Sequence, residues 1–364
     1  MFNLQFRIFS TQNEEVREKC SKCSIDNWKI CNGTTSDNTS YEWDYYLDPI
    51  IIKNKIVYCN YTCEVRENEK CKTCGEKENK CIECNYGYKL KDGKCIASYF
   101  YIKALYRINE SNKNIKLING VNIIEMKIND KIINPSNYYT FSSKRDYSLN
   151  ILINYTTSFK GMFYEVKNLT SISFEPKLKN IEITNMNEMF FFCKSLESID
   201  LSNLNTEKVT DMYRLFSVCN SLKFFDLSNF KTTNVKNIAE LFYNCISLTS
   251  IDLSNFNTQN VENMGYMFNG CQNLTSLDLS KINTQNVQHM TDMLGSYNKL
   301  AFIDISSFKT NNVISMSYMF YNCKSLTSLD LSKFETQNVQ YMDNMFCGCT
   351  NLNSIKFQIL ILIM

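Results

Sequence analysis

The chain has one histidine, three prolines and ten glycines among 364 residues. The single imidazole, His289, falls at a surface slot of a repeat. No Ser/His/Asp, Cys/His or His/carboxylate metal set can be assembled around it. No glycine-rich loop able to cradle a phosphate is present. Charge of one sign is also missing: 39 basic against 37 acidic residues leave a net charge of +2, which excludes a nucleic-acid or anionic-membrane footprint. No stretch approaches the roughly 20 apolar residues of a membrane span. The opening MFNLQFRIFS is interrupted by Gln5 and Arg7, so it is no secretory h-region, and the run Ile359 to Met364 is too short for an anchor. Both ends of the chain are therefore expected to be incomplete. Cysteine is absent between Cys95 and Cys193.

Elsewhere cysteine is plentiful. Ten of the 17 lie in the first 97 residues: Cys20, Cys23, Cys31, Cys59, Cys63, Cys71, Cys74, Cys81, Cys84 and Cys95. Such density in a short segment suggests a disulfide framework and an oxidising compartment. Sequons at Asn32, Asn38, Asn60, Asn109, Asn154, Asn168 and Asn273 point the same way, toward a glycosylated extracellular or cell-surface protein. The tightest motif is Cys71-x2-Cys74-x6-Cys81-x2-Cys84-x10-Cys95. A rival reading gives Cys71, Cys74, Cys81 and Cys84 to a four-thiolate zinc site, although the six-residue spacer is short and Cys95 would be left over.

The second half repeats with a period of 26 residues. Asp recurs at 200, 226, 252, 278, 304 and 330, and Cys at 193, 219, 245, 271, 323 and 349, with Tyr297 in the gap. In the unit 260–284, Val261, Met264, Met267 and Phe268 mark one face of a short helix, with Thr258 as its N-cap. Leu274, Leu277 and Leu279 follow with strand-like alternation. The expected fold is thus an α/β repeat solenoid with a short strand and a short helix per unit. The cysteine column reads as a ladder of small buried hydrophobes.

The unit N-V-x-x-M-x-x-M-F-x-x-C-x-x-L-x-x-L-D-L-S-x-F-x-T resembles the BspA-like leucine-rich repeats of surface proteins, over about residues 162–357. That resemblance implies an extracellular or surface protein that binds host, matrix or cell partners, with no catalytic residues. The unit TDMLGSYNKLAFIDIS departs from it, with Tyr297 for Cys, Leu294 for Phe and Ser307 for Asn or Lys. Near the start, Tyr86-Gly87-Tyr88 followed by Gly93-Lys94-Cys95 resembles EGF-like and furin-like modules.

Residues 98–161 alternate apolar and polar at Ile124, Met126 and Ile128 and again at Tyr147, Leu149, Ile151 and Ile153. They are expected to form a small antiparallel β domain covering the first repeat. The expected order is a cysteine-rich module (1–97), this β domain (98–161) and the repeats (162–364).

In the strand half of each unit the leucines point inward. The residues between them line outward columns: the six Asp, the Ser two residues after each, and Ser198, Phe224, Ser250, Ser276, Phe302 and Ser328. Unit charges roughly 4.8 Å apart repel by about 0.9 kcal/mol in water, so five adjacent pairs would cost about 4 kcal/mol before screening. Serine hydroxyls and backbone N–H groups, Ca2+ or a basic partner could each offset that cost. Phe224 and Phe302 are candidate binding anchors. The expected function is non-enzymatic binding of a protein or glycan on this face, without a cofactor. Two other readings stand beside it: an intracellular scaffold with an N-terminal zinc module, and a carbohydrate-active enzyme with an unrecognised carboxylate pair.

Overall fold

A computed structural model describes residues 94–176 and 181–357, together with segments 28–33, 48–52, 55–61, 71–74, 81–84 and 88–91. The chain divides into two units, Met1–Ser98 and Tyr99–Met364.

In the first unit, β1 (Trp28–Gly33), β2 (Asp48–Ile52) and β3 (Lys55–Tyr61) form an antiparallel sheet in the order β1-β3-β2. Cys31 and Cys59 stand opposite each other across β1 and β3. Two further hairpins follow, β4 (Cys71–Cys74) with β5 (Cys81–Cys84) and β6 (Tyr88–Lys91) with β7 (Lys94–Ala97). Cys84 forms a disulfide with Cys95, Cα to Cα 5.6 Å.

The second unit begins with β8 (Tyr99–Arg107), followed by β9 (Asn114–Lys116), β10 (Ile123–Ile128), β11 (Lys131–Ile133), β12 (Tyr138–Thr140) and β13 (Asp146–Asn154). The alternation in β13 buries Tyr147, Leu149, Ile151 and Ile153. In β10 a bulge between Ile123 and Glu125 leaves Ile124 exposed. Asn129 and Asp130 both have positive φ and close the β10–β11 hairpin, as two-residue turns of the primed kind require. The repeats contribute β14 (Leu169–Phe174) and β15 (Ser198–Asp200), and all but β9 and β12 of these strands join one sheet, β11-β10-β13-β8-β14-β15. β8 runs antiparallel along β14, so the β segment and the first repeats share hydrogen bonds and one core.

The expected α/β solenoid is not what the chain builds: the described residues contain no α-helix. Tyr266, inside the predicted helical stripe, has φ of 57°, which no α-helix accommodates. Equivalent residues at 188, 214, 240, 292, 318 and 344 share this left-handed backbone. Hydrogen bonds alternate accordingly. The N–H groups of Met267 and Asn269 donate three residues back, to Met264 and Tyr266. Those of Tyr266 and Phe268 donate instead to Thr291 and Met293 of the next unit, at 2.8 and 3.1 Å. A helix satisfies its amides within one segment; here half are satisfied by the neighbouring unit, in a chain of tight turns. The apolar slots survive because successive turns also bring Val261, Met264, Met267 and Phe268 inward, each fully buried.

Among the described residues of the repeats, strand structure is confined to β14, β15 and the parallel pair β16 (Ser328–Leu331) and β17 (Ser354–Phe357). Between them the units stay in step through single parallel bridges running Asn185, Asp211, Asn237, Asn263, His289, Ser315, Tyr341. Phenylalanine rings stack along this direction: Phe163–Phe190, Phe190–Phe216 and Phe216–Phe242 have centroids 5.6, 5.8 and 6.0 Å apart.

Thr258 caps no helix. It is buried, and its hydroxyl donates to the Asn283 carbonyl and accepts from the Asn283 N–H, each at 2.8 Å. Thr206, Thr232, Thr284 and Thr310 donate in the same way to the next unit.

Candidate interaction surface

Burial of the leucines at each repeat turns the intervening residues out to solvent. Asp200, Asp226, Asp252, Asp278, Asp304 and Asp330 are all exposed. Each uses Oδ1 to accept the backbone N–H of the serine two residues on, at 2.8 to 3.0 Å. This is an Asx turn repeated six times, and it leaves the second carboxylate oxygen of each residue outside that bond. The serines hold the carboxyl pKa below the usual range at five of the six. For Asp226 and Asp330 the serine hydroxyl is the larger cause and the backbone N–H the next; for Asp252, Asp278 and Asp304 the order is reversed. Repulsion between neighbouring carboxylates enters only as a smaller opposing effect at Asp252 and Asp304. Each of these five carboxylates thus has a local donor that favours its charged form. Lys356 takes the aspartate's place in the last unit and lies 3.6 Å from Asp330. Among the described residues no group of three or more His, Cys, Asp or Glu could hold a metal ion.

Phe224 and Phe302 interrupt the serine column beside the aspartates and are 73% and 62% exposed. They lie three units apart, roughly 14 Å at the ordinary strand spacing, so no single small contact covers both.

The sequons fall into distinct settings. Asn109 and Asn154 are exposed. Asn168 and Asn273 instead spend their side-chain N–H groups on the carbonyls of Arg107 and Ile246, at 2.8 and 2.7 Å. Asn32 and Asn60 lie in β1 and β3, and Asn38 lies outside the described residues. So do Cys20, Cys23 and Cys63. His289 is exposed in its bridge position.

One polar column was not singled out from sequence. Asn234, Asn260, Asn286, Asn312 and Asn338 each donate Nδ2 to a carbonyl of the preceding unit, at 2.6 to 2.8 Å. They border shallow clefts with Lys236 and Glu262, whose charges pair at 3.3 Å. Their signal was the asparagine that opens each Asn-Val pair.

Residues 157–276 and 247–357 match the family model described as "Mycoplasma protein of unknown function, DUF285". Together the two matches cover more than half of the chain, and they fall on the repeats. The chain belongs to this family. The DUF285 region contains the aspartate, threonine and asparagine columns and the stretch that resembles BspA-like repeats. Among curated proteins nothing matches. A crystal structure of a leucine rich cell surface protein from Faecalibacterium prausnitzii is similar over 54% of this chain and 74% of that one, at 16% identity and a TM-score of 0.20.

Proposed function

We propose that this DUF285 protein is a non-enzymatic interaction protein that works outside the cell or at its surface, binding a protein or glycan on the aspartate face. The observation that carries the reading is the exposed column of six carboxylates held in one repeated Asx turn. Each carboxylate is fixed in orientation by its own backbone, so a partner meets a pre-ordered stripe of charge and loses little further side-chain entropy on contact. Phe224 and Phe302 supply apolar anchors beside it. The Cys84–Cys95 disulfide supports an oxidising compartment. It also occupies one of the four thiolates that the intracellular zinc reading requires. The EGF-like or furin-like character of the N-terminal segment and glycosylation at Asn109 and Asn154 belong to the same proposal.

The test is an immobilised full chain screened against glycan arrays and secreted or surface protein libraries, with Asp252→Asn/Asp278→Asn and Phe224→Ala/Phe302→Ala variants in parallel. Binding that weakens in both variants, and with salt only through the aspartates, supports the reading. Binding indifferent to both double variants would remove this face from consideration.

A further inference from the structure

One column in the turn half of the repeats carries charge and then aromatic rings. Its successive residues are Glu188, Arg214, Glu240, Tyr266, Asp292 and Tyr318, each with a left-handed φ between 51° and 60°. In its first half the column supplies its own cation. Arg214 donates Nε and Nη2 to Glu240 at 2.7 and 3.0 Å, lies 3.6 Å from Glu188, and sets its guanidinium 4.7 Å from the Tyr213 ring centroid. In the second half Asp292 stands between two tyrosines, and no ion pair among the described residues includes it.

The backbone keeps these three residues in step. Tyr266 N–H donates to the Thr291 carbonyl, Asp292 N–H to that of Ser317 and Tyr318 N–H to that of Asp343, at 2.8 to 2.9 Å. Both tyrosines are braced from outside this interval. The Tyr266 ring packs edge-on against Tyr243 of the unit before, and the Tyr318 hydroxyl accepts Nδ2 of Asn344 of the unit after, at 2.9 Å. Between them the carboxylate lies low. The slot that holds Phe191, Ser217, Tyr243, Asn269 and Tyr321 in other units is Gly295 here, and a Cβ at Gly295 would collide with Asp292 Oδ1. That oxygen is buried and has no hydrogen-bond partner, whereas Tyr266 is 37% exposed. Burial pushes the carboxyl up to about 6, so near neutrality it is charged yet poorly solvated.

We propose that Tyr266, Asp292 and Tyr318 form a binding site for an organic ammonium group, such as the head of a choline-type amine or of a lysine side chain. The carboxylate supplies the opposite charge and an acceptor, and the rings supply faces that attract a cation. At the ordinary spacing of about 4.8 Å per unit, a cation seated on Asp292 has a tyrosine position about 5 Å to either side. That lies within the roughly 6 Å over which a ring attracts it. Arg214 meets the same chemistry two and three units earlier from within the chain; at Asp292 the cation has to come from a ligand. A neutral sugar stacks on the rings equally well but leaves the half-buried charge uncompensated. None of these residues belongs to the aspartate face, and this inference stands whether or not that face binds a partner.

The test is ligand-observed NMR on the full chain, with choline, Nα-acetyl-lysine amide, methyl glucoside and the neutral carbon isostere of choline each titrated to about 50 mM at constant ionic strength. Saturable magnetisation transfer to at least one ammonium is expected, with the neutral isostere at least about tenfold weaker. A response to choline alone assigns a quaternary head group, and a response to the lysine amide alone assigns a basic peptide side chain. Affinity should fall at least about tenfold in Asp292→Asn and Tyr266→Ala and persist in Tyr266→Phe. No saturable transfer to either ammonium, equal transfer to the isostere or the glucoside, or undiminished binding by Asp292→Asn would each overturn the proposal. The comparison of ammonium with isostere uses the wild-type chain and relies on no variant's folding.

Discussion

The Thr258 hydroxyl and the Asn283 peptide clamp each other across two repeats: the hydroxyl donates to the carbonyl and accepts from the N–H, both at 2.8 Å, inside the core. Thr258→Val keeps the shape but removes both bonds and leaves the Asn283 N–H and carbonyl facing a methyl group. It is expected to cost about 2–3 kcal/mol in urea unfolding, with Thr258→Ser recovering most of the loss. A loss below about 0.5 kcal/mol would mean that the clamp contributes little beyond packing.

Leu294 and Tyr297 depart from the repeat together, a smaller residue in the phenylalanine column and a larger one in the cysteine column, and both are fully buried. The Tyr297 hydroxyl has no hydrogen-bond partner. Tyr297→Phe is therefore expected to be neutral or stabilising by up to about 1 kcal/mol, because an unsatisfied polar atom leaves the core. Leu294→Phe alone overpacks and Tyr297→Cys alone opens a cavity, each costing about 1–3 kcal/mol. The double variant should recover part of the sum, and a thermodynamic cycle that came out additive would argue against volume exchange at this unit.

Stability should depend on pH in two opposed ways. The depressed carboxyls of Asp226, Asp252, Asp278, Asp304 and Asp330 favour the folded state above their unfolded pKa, and that contribution is lost as pH falls through their lower folded values. Asp292 runs the other way. Burial raises it to about 6, against a smaller lowering by a hydrogen bond from Asn269, so its favourable contribution exists at low pH and is lost as pH rises through about 6. In melts between pH 4 and 7.5, Asp292→Asn should raise the Tm mainly at the upper end. A Tm gain of the same size at pH 4 would show that the change acts through packing.

Gly270 has φ of 77°, and a Cβ there would collide with Oδ1 of Asn244, the equivalent residue one unit earlier. Gly270→Ala is expected to lower stability by about 1–3 kcal/mol, through backbone strain and displacement of the amide. Thermal melting checks this, and a Tm within a degree of wild type would show that the turn can relax.

Millimolar Ca2+ is expected to leave the Tm unchanged. One oxygen of each ladder carboxylate already accepts a backbone N–H, and among the described residues none of the acidic groups gathers in threes around a site for a metal. A rise that grows with Ca2+ concentration would return the cation to the aspartate face.

Periodicity alone located the repeats, their buried slots and the outward position of the aspartates, because side chains that recur every 26 residues occupy the same environment in every unit. It could not tell a helix from a chain of turns. Both bring Val261, Met264 and Met267 to one side, and the difference lies in whether Tyr266 N–H finds its acceptor within the segment or at Thr291 in the next unit. The same is true of the polar columns. Thr258 looks like a cap and Asp226 like an uncompensated charge until the stacked coils place an Asn283 peptide beside one and the chain's own turn folds Ser228 onto the other. Which side chains face inward is a property of the sequence pattern; which partner satisfies each polar group depends on distances that only the packed neighbour creates.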